Sequence, residues 1–97
     1  MLVSIPSAAS AKLQDLLTGS QRKQAIASLS DQDGNYNVLI RNTGANIVYA
    51  EMGAASATTT GLPIEATSGS VTITTDSLAK IQLIAATAPT DVRILIA

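Results

Sequence analysis

The sequence has no cysteine, no histidine, no phenylalanine and no tryptophan. Without cysteine there is no disulfide framework and no thiolate metal site. Without histidine the chain lacks the commonest general base, the imidazole metal ligand and the Ser-His-Asp triad. Aromatic residues make up only 2% of the chain, although 46% of it is hydrophobic. Ala, Val, Ile and Leu must therefore do the packing. Aromatic side chains bury the most area each, so their scarcity predicts that other subunits supply part of the stabilising burial. Charge is sparse as well. The net charge is −1, and the densest basic feature is the single pair Arg22-Lys23. Nucleic-acid binding draws on clustered Lys and Arg, so no nucleic-acid partner is expected. No segment approaches ~18 uninterrupted apolar residues, so no membrane partner is expected. The start, Met1-Leu2-Val3-Ser4-Ile5-Pro6, has no basic region and is broken by Pro6, which argues against a signal peptide.

What is present fits one domain of 97 residues. Residues 1–19 read as an N-terminal arm or short helix, and residues 20–97 as a β-sandwich domain. Ser7 to Gly19 has the marks of a helix. Ser7 is placed to cap it, Gly19 to end it, and Ala9, Leu13, Leu16 and Leu17 fall near one face. At roughly three turns such a helix is marginal alone and must dock on something. Gln21 to Ser30 suits either a helix or a strand. The turn signal Asp33-Gly34 that follows favours a strand.

From Tyr36 onward the strand signals are clear. Tyr36, Val38 and Ile40 alternate with Asn37, Leu39 and Arg41. Asn42 to Asn46 turns the chain, with Gly44 free to take a positive φ. Ile47 to Met52 returns, so 38–53 predicts a β-hairpin. Ala54 to Gly61 reads as a loop, and Leu62-Pro63-Ile64 as a short edge strand. Ser70 to Thr75 alternates cleanly after a Thr67-Ser68-Gly69 turn. Lys80 to Ala86, a Thr87-to-Thr90 turn and Asp91 to Ala97 follow. Val92, Ile94 and Ile96 share one face, and Leu95 on the other suggests local cover on both. Turn signals roughly every 8–12 residues predict an all-β antiparallel β-sandwich or jelly-roll-like small barrel, with an N-terminal arm or short helix.

Candidate chemistry is thin. The Ser and Thr residues have no activating base, and Lys12, Lys23 and Lys80 sit in polar or amphipathic surroundings. Asp31-Gln32-Asp33-Gly34-Asn35 resembles part of a calcium loop. With Gly34 as the turn glycine, the first and twelfth ligand positions fall on Leu29 and Ile40, which are apolar. A looser two-carboxylate ion site there is the weaker alternative to a solvated turn. Glu51 and Glu65 form an acid/base pair only if the fold joins them; otherwise they blunt exposed strands. Tyr36 and Tyr49 suit the edge of the core better than a sugar platform. Arg41 and Arg93 lie on strands and are placed either as surface charges or to pair with Asp or Glu across a subunit contact. No catalytic, cofactor-binding or metal residue is assigned, no cofactor is expected, and the chain reads as no enzyme.

The order of pieces carries a resemblance. Val38-Leu39-Ile40-Arg41-Asn42-Thr43-Gly44-Ala45-Asn46-Ile47-Val48-Tyr49 runs as an apolar strand, an Arg-Asn-x-Gly turn and a second apolar strand. An Ala/Thr-rich loop, Leu62-Pro63-Ile64, a Ser-Gly-Ser turn, a Thr-rich strand, Ile81-Gln82-Leu83-Ile84-Ala85-Ala86 and Val92-Arg93-Ile94-Leu95-Ile96 follow. Over residues 20–97 this resembles small accessory virion proteins of tailed bacteriophages, namely head decoration (cement) proteins, head fibres and tail-tip or tail-fibre modules. The resemblance implies a structural virion protein, made in the host cytoplasm and assembled into the virion. It implies partners in the chain itself, with a trimer favoured, and in major capsid or tail proteins. A capsid decoration protein is the first expectation. A tail or fibre component is the second. A glycan- or host-surface-binding module is a further alternative, built on the loops Thr43–Asn46, Thr58–Gly61 or Thr87–Thr90.

Overall fold

A computed structural model describes residues 1–7, 9–21, 36–53, 58 and 61–96. Its strands are β1 (Leu2–Ile5), β2 (Ala11–Lys12), β3 (Tyr36–Asn42), β4 (Val48–Met52), β5 (Leu62–Ile64), β6 (Ser70–Thr75), β7 (Ile81–Ala85) and β8 (Thr90–Ile96). A one-turn helix, α1 (Leu13–Leu16), follows β2, and a 3-10 turn at Leu78–Lys80 precedes β7. Two four-stranded sheets result. Sheet I has the order β1-β8-β3-β6 and sheet II the order β2-β7-β4-β5.

The connectivity follows a simple rule. The first strand pairs with the last, the second with the seventh, the third with the sixth and the fourth with the fifth, all antiparallel. The chain is thus one long hairpin, doubled back between β4 and β5 and rolled up. Successive pairs fall in opposite sheets, and β3·β8 and β4·β7 complete them. That is the strand order of a jelly roll. Among the described residues no pairing joins the two sheets, so the arrangement is a sandwich with edges at β1, β6, β2 and β5.

Alternation decides what lies inside. Val3, Ile5, Val38, Ile40, Val92 and Ile94 face inward from sheet I, and Val48, Ala50, Ile64, Ile81, Leu83 and Ala85 from sheet II. Leu13, Leu17 and Leu78 close the end of the core where α1 lies. The core is aliphatic, as the composition requires, and each buried Val, Ile or Leu contributes roughly 1.5–3 kcal/mol.

The structure corrects the expected hairpin at 38–53. β3 lies in sheet I between β8 and β6, and β4 lies in sheet II between β7 and β5. The linker therefore arches across the sandwich rather than joining paired neighbours. Val38 and Ile40 point into the core from sheet I and Val48 and Ala50 from sheet II, and this burial outweighs the local pairing that a hairpin would offer.

The N-terminal segment is also corrected. Residues 2–5 are an edge strand of sheet I, and Ala11 and Lys12 pair with Leu83 and Gln82. The helix expected over Ser7–Gly19 shrinks to α1, because strand pairing and burial of Leu13 outweigh a marginal helix. Gly19 does not end a helix; it opens the helical turn at 19–21. The Thr18 hydroxyl accepts from the Gln21 amide at 3.2 Å, and the Gln21 side chain accepts from the Thr18 amide at 2.9 Å. That reciprocal pair is a capping box. The strand expected at Gln21–Ser30 and the Asp33-Gly34 turn lie outside the described residues, save Gln21, which is helical.

Candidate functional site

The register places the linkers 43–47, 65–69 and 86–89 at one end of the sandwich. Asn42 organises this end. It is fully buried at the close of β3. Its amide nitrogen donates to Asn46 O at 2.7 Å and Ile64 O at 3.0 Å, and its amide oxygen accepts from Gly44 N at 3.0 Å. One side chain thereby closes the β3–β4 arch and ties it to the end of β5. The Gly44 N–H···Asn42 bond spans two residues, as in an Asx turn. Thr67 N donates to Gly44 O at 2.9 Å, which attaches the 65–69 turn to the same arch.

The third linker joins through side chains. Thr87 Oγ1 donates to Asn46 Oδ1 at 2.8 Å, Asn46 Nδ2 to Ala88 O at 3.4 Å, and Thr43 Oγ1 to Asp91 O at 3.3 Å. Gly44 is required here for close approach rather than for a positive φ. A Cβ on Gly44 would overlap Thr90 Oγ1 and come within 2.9 Å of Thr90 Cβ. The positive-φ glycine among the described residues is Gly53, at φ 89°. The Thr90 hydroxyl is buried under Gly44 without a hydrogen-bond partner. Thr90→Ala is therefore expected to fall within about 1 kcal/mol of neutral by thermal denaturation, despite the burial. The lost methyl contact is offset by removal of an unsatisfied hydroxyl.

The arch and the 86–89 linker border an open groove of about 540 Å³, lined by Thr43, Gly44, Ala45, Asn46, Pro89, Thr90 and Asp91, with Leu2 and Arg93 on the sheet I side. Two of the three expected binding loops, Thr43–Asn46 and Thr87–Thr90, thus meet. The third, Thr58–Gly61, is described at Thr58 and Gly61 and belongs to the connection at the opposite end of β4. The groove is open and polar, with one carboxylate and one guanidinium.

The other candidate residues are dispersed. Glu51 is on β4, and Glu65 follows β5 opposite the start of β4. About four residue steps, roughly 13 Å, separate them along the ladder, so they form no acid/base pair. Tyr49 is half-buried on the outer face of sheet II, opposite Pro63 and Ile84. The Tyr36 side chain and the 31–35 segment lie outside what is described. No group of three or more carboxylates occurs among the described residues. Lys80 Nζ lies 2.7 Å from Asp76 Oδ1 in the one ion pair among them. Its hydrogen bond and charge hold the Asp76 carboxyl below the usual carboxylate range. The small stability of this exposed pair is present at neutral pH and is lost as pH falls through that lowered value.

The outer face of sheet I holds what sequence reading left scattered. Arg41 and Arg93 are directly paired on β3 and β8. Leu2 pairs with Arg93 on its other side, and Leu39 pairs with Leu95 in the next row. Leu2, Leu39 and Leu95 are 51%, 36% and 62% exposed. Leu95, expected to be covered, is the most exposed of the three. No described element lies over it.

No protein-family model matches the chain, and no curated protein and no solved structure matches it. None of the helices among the described residues is long and apolar enough to cross a membrane.

Proposed function

We propose that the chain is a non-enzymatic structural virion protein of a tailed bacteriophage, a head decoration protein that stabilises the capsid. One observation carries the reading. A small, regular sandwich leaves apolar side chains uncovered on two separate surfaces. Leu2, Leu39 and Leu95 lie on sheet I, and Met52 and Leu62 lie along the β4–β5 edge of sheet II, at 43% and 52% exposure. Exposed apolar patches on a small domain mark contact surfaces. Two of them allow one copy to touch two neighbours, which is what a lattice-building part requires. Jelly rolls host capsid and lectin domains, so the strand order supports the class by analogy only. In this role the chain works mechanically. It bridges adjacent capsomers, and the burial it adds opposes internal pressure.

The test is the heat stability of heads with and without the chain. Heads lacking it are expected to release their genome at lower temperature and to recover when the purified chain is added. Unchanged release temperature, together with no binding of the added chain, overturns the proposal. A tail or fibre component would use the same contact surfaces, and the chain would then be recovered with tails. The polar groove at the arch favours a glycan-binding module as the second reading, and a glycan array without signal removes it.

A further inference from the structure

The groove at the arch gathers charges and polar groups that the fold itself leaves unpaired. Asp91 and Arg93 both line it. They lie two residues apart on β8, exposed on one face of sheet I, so roughly 7 Å separates their positions. Among the described residues neither side chain has an ionic or hydrogen-bond partner. Arg41, directly paired with Arg93 on β3, sets a second guanidinium beside the groove, also without an ionic partner among them. Like charges at directly paired positions repel, so an anion seated between the two relieves the repulsion. Thr90, 5% exposed, lines the groove as well, and its hydroxyl has no hydrogen-bond partner. The walls are fixed in advance. Asn42 closes the arch, and Thr43 Oγ1 donates to Asp91 O at 3.3 Å. Little ordering is left for a ligand to impose.

We propose that this groove binds an acidic saccharide, its carboxylate on Arg93 and Arg41 and its ring hydroxyls on Asp91. Guanidinium groups hold carboxylates through paired, charge-assisted hydrogen bonds. An ionised carboxylate accepts and does not donate. Asp91 therefore repels a bare anion and calls for a ligand that also brings hydroxyls or an ammonium. A small zwitterion would answer both charges but fill little of a groove of about 540 Å³, a volume that suits larger ligands. A carboxylated sugar carries the anion and several hydroxyls on one rigid ring. No aromatic residue lines the groove, so a neutral sugar finds no ring to stack on and charge must supply the grip. Leu2 and Pro89 offer apolar contact to the C–H faces of the sugar. The proposal rests on the glycan-binding reading of this groove, narrows it to one class of sugar, and is independent of the virion role.

The experiment is an amide-shift NMR titration of the full chain with digalacturonate, its methyl ester and acetate. Digalacturonate is expected to shift the amides of residues 43–46 and 90–93. The ester, which keeps the hydroxyls and loses the charge, is expected to bind more weakly by on the order of tenfold. Acetate, which keeps the charge and lacks the hydroxyls, is expected to bind more weakly as well. Arg93→Ala is expected to lower digalacturonate affinity by about tenfold and to leave that of the ester unchanged. Asp91→Ala is expected to narrow the preference for digalacturonate over acetate. Both residues are exposed, and circular dichroism and thermal melting establish that each variant is folded. Ester bound as tightly as the acid overturns the inference and leaves the glycan reading in place. So does acetate bound as tightly as digalacturonate, or a set of shifts lying away from the groove. No shift with either sugar overturns the inference, and a glycan array without signal then removes the broader reading too.

Discussion

Replacing Asn42 by alanine is expected to lower stability by about 3 kcal/mol, close to 12–24 °C in Tm for a domain of this size. The reason is the number of groups left behind. Asn42 is fully buried, donates to Asn46 O and Ile64 O, and accepts from Gly44 N. Each buried group stripped of its partner costs roughly 1–3 kcal/mol. Asn42→Leu, which refills the volume, is expected to be nearly as damaging, because the same three backbone groups stay orphaned. Asn42→Asp separates donor from acceptor chemistry. A carboxylate keeps the bond from Gly44 N but turns a negative oxygen towards two carbonyls. Burial and that repulsion raise its pKa above the unfolded value. The deficit of the aspartate variant is then largest at neutral pH. It shrinks as pH falls through the raised value, where the protonated acid can donate again. Thermal unfolding across pH, referenced to wild type, measures this.

Gly44→Ala is expected to cost about 1–3 kcal/mol, the range for forcing an extra carbon into a packed site. The added Cβ would overlap Thr90 Oγ1, approach Thr90 Cβ to 2.9 Å and Asp91 N to 3.2 Å. The test of this cause is the partner. In a Thr90→Ala background the Oγ1 overlap is gone, and Gly44→Ala should cost clearly less. In a Thr90→Ser background, which keeps Oγ1, it should cost as much as in wild type. A double-mutant cycle by denaturant unfolding reads the coupling. Equal costs in all three backgrounds would place the strain elsewhere in the arch.

These two residues show what the sequence displayed and what it concealed. The strands Tyr36–Asn42, Ser70–Thr75 and Thr90–Ile96 were legible because period-2 alternation is a local property. Strand partners are not local. A hairpin and an arch share the same alternation and the same Asn and Gly turn residues. They differ in whether Val38 and Ile40 share a sheet with Val48 and Ala50 or lie in the opposite one, and distant pairings such as Val38 with Ile96 and Val48 with Ala85 decide that. Asn42 was legible in part, since Asn two residues before Gly is an Asx-turn signal. Its burial and its reach to Ile64 were not. The capping box at Thr18 and Gln21 was present in the sequence, but reading Gly19 as a terminator hid it. The Arg41–Arg93 juxtaposition joins residues from strands far apart in the chain, so only the register reveals it. An outward leucine in the sequence suggests cover, yet Leu95 is 62% exposed and no described element lies over it, because what packs on an outer face is not written in local alternation.

The proposed structural virion role is tested most directly by quantitative mass spectrometry of purified phage particles. The chain is expected in every preparation, at a constant ratio to the major capsid protein that survives further purification. Its absence from purified particles, or an amount that falls away with host contaminants, would contradict the role.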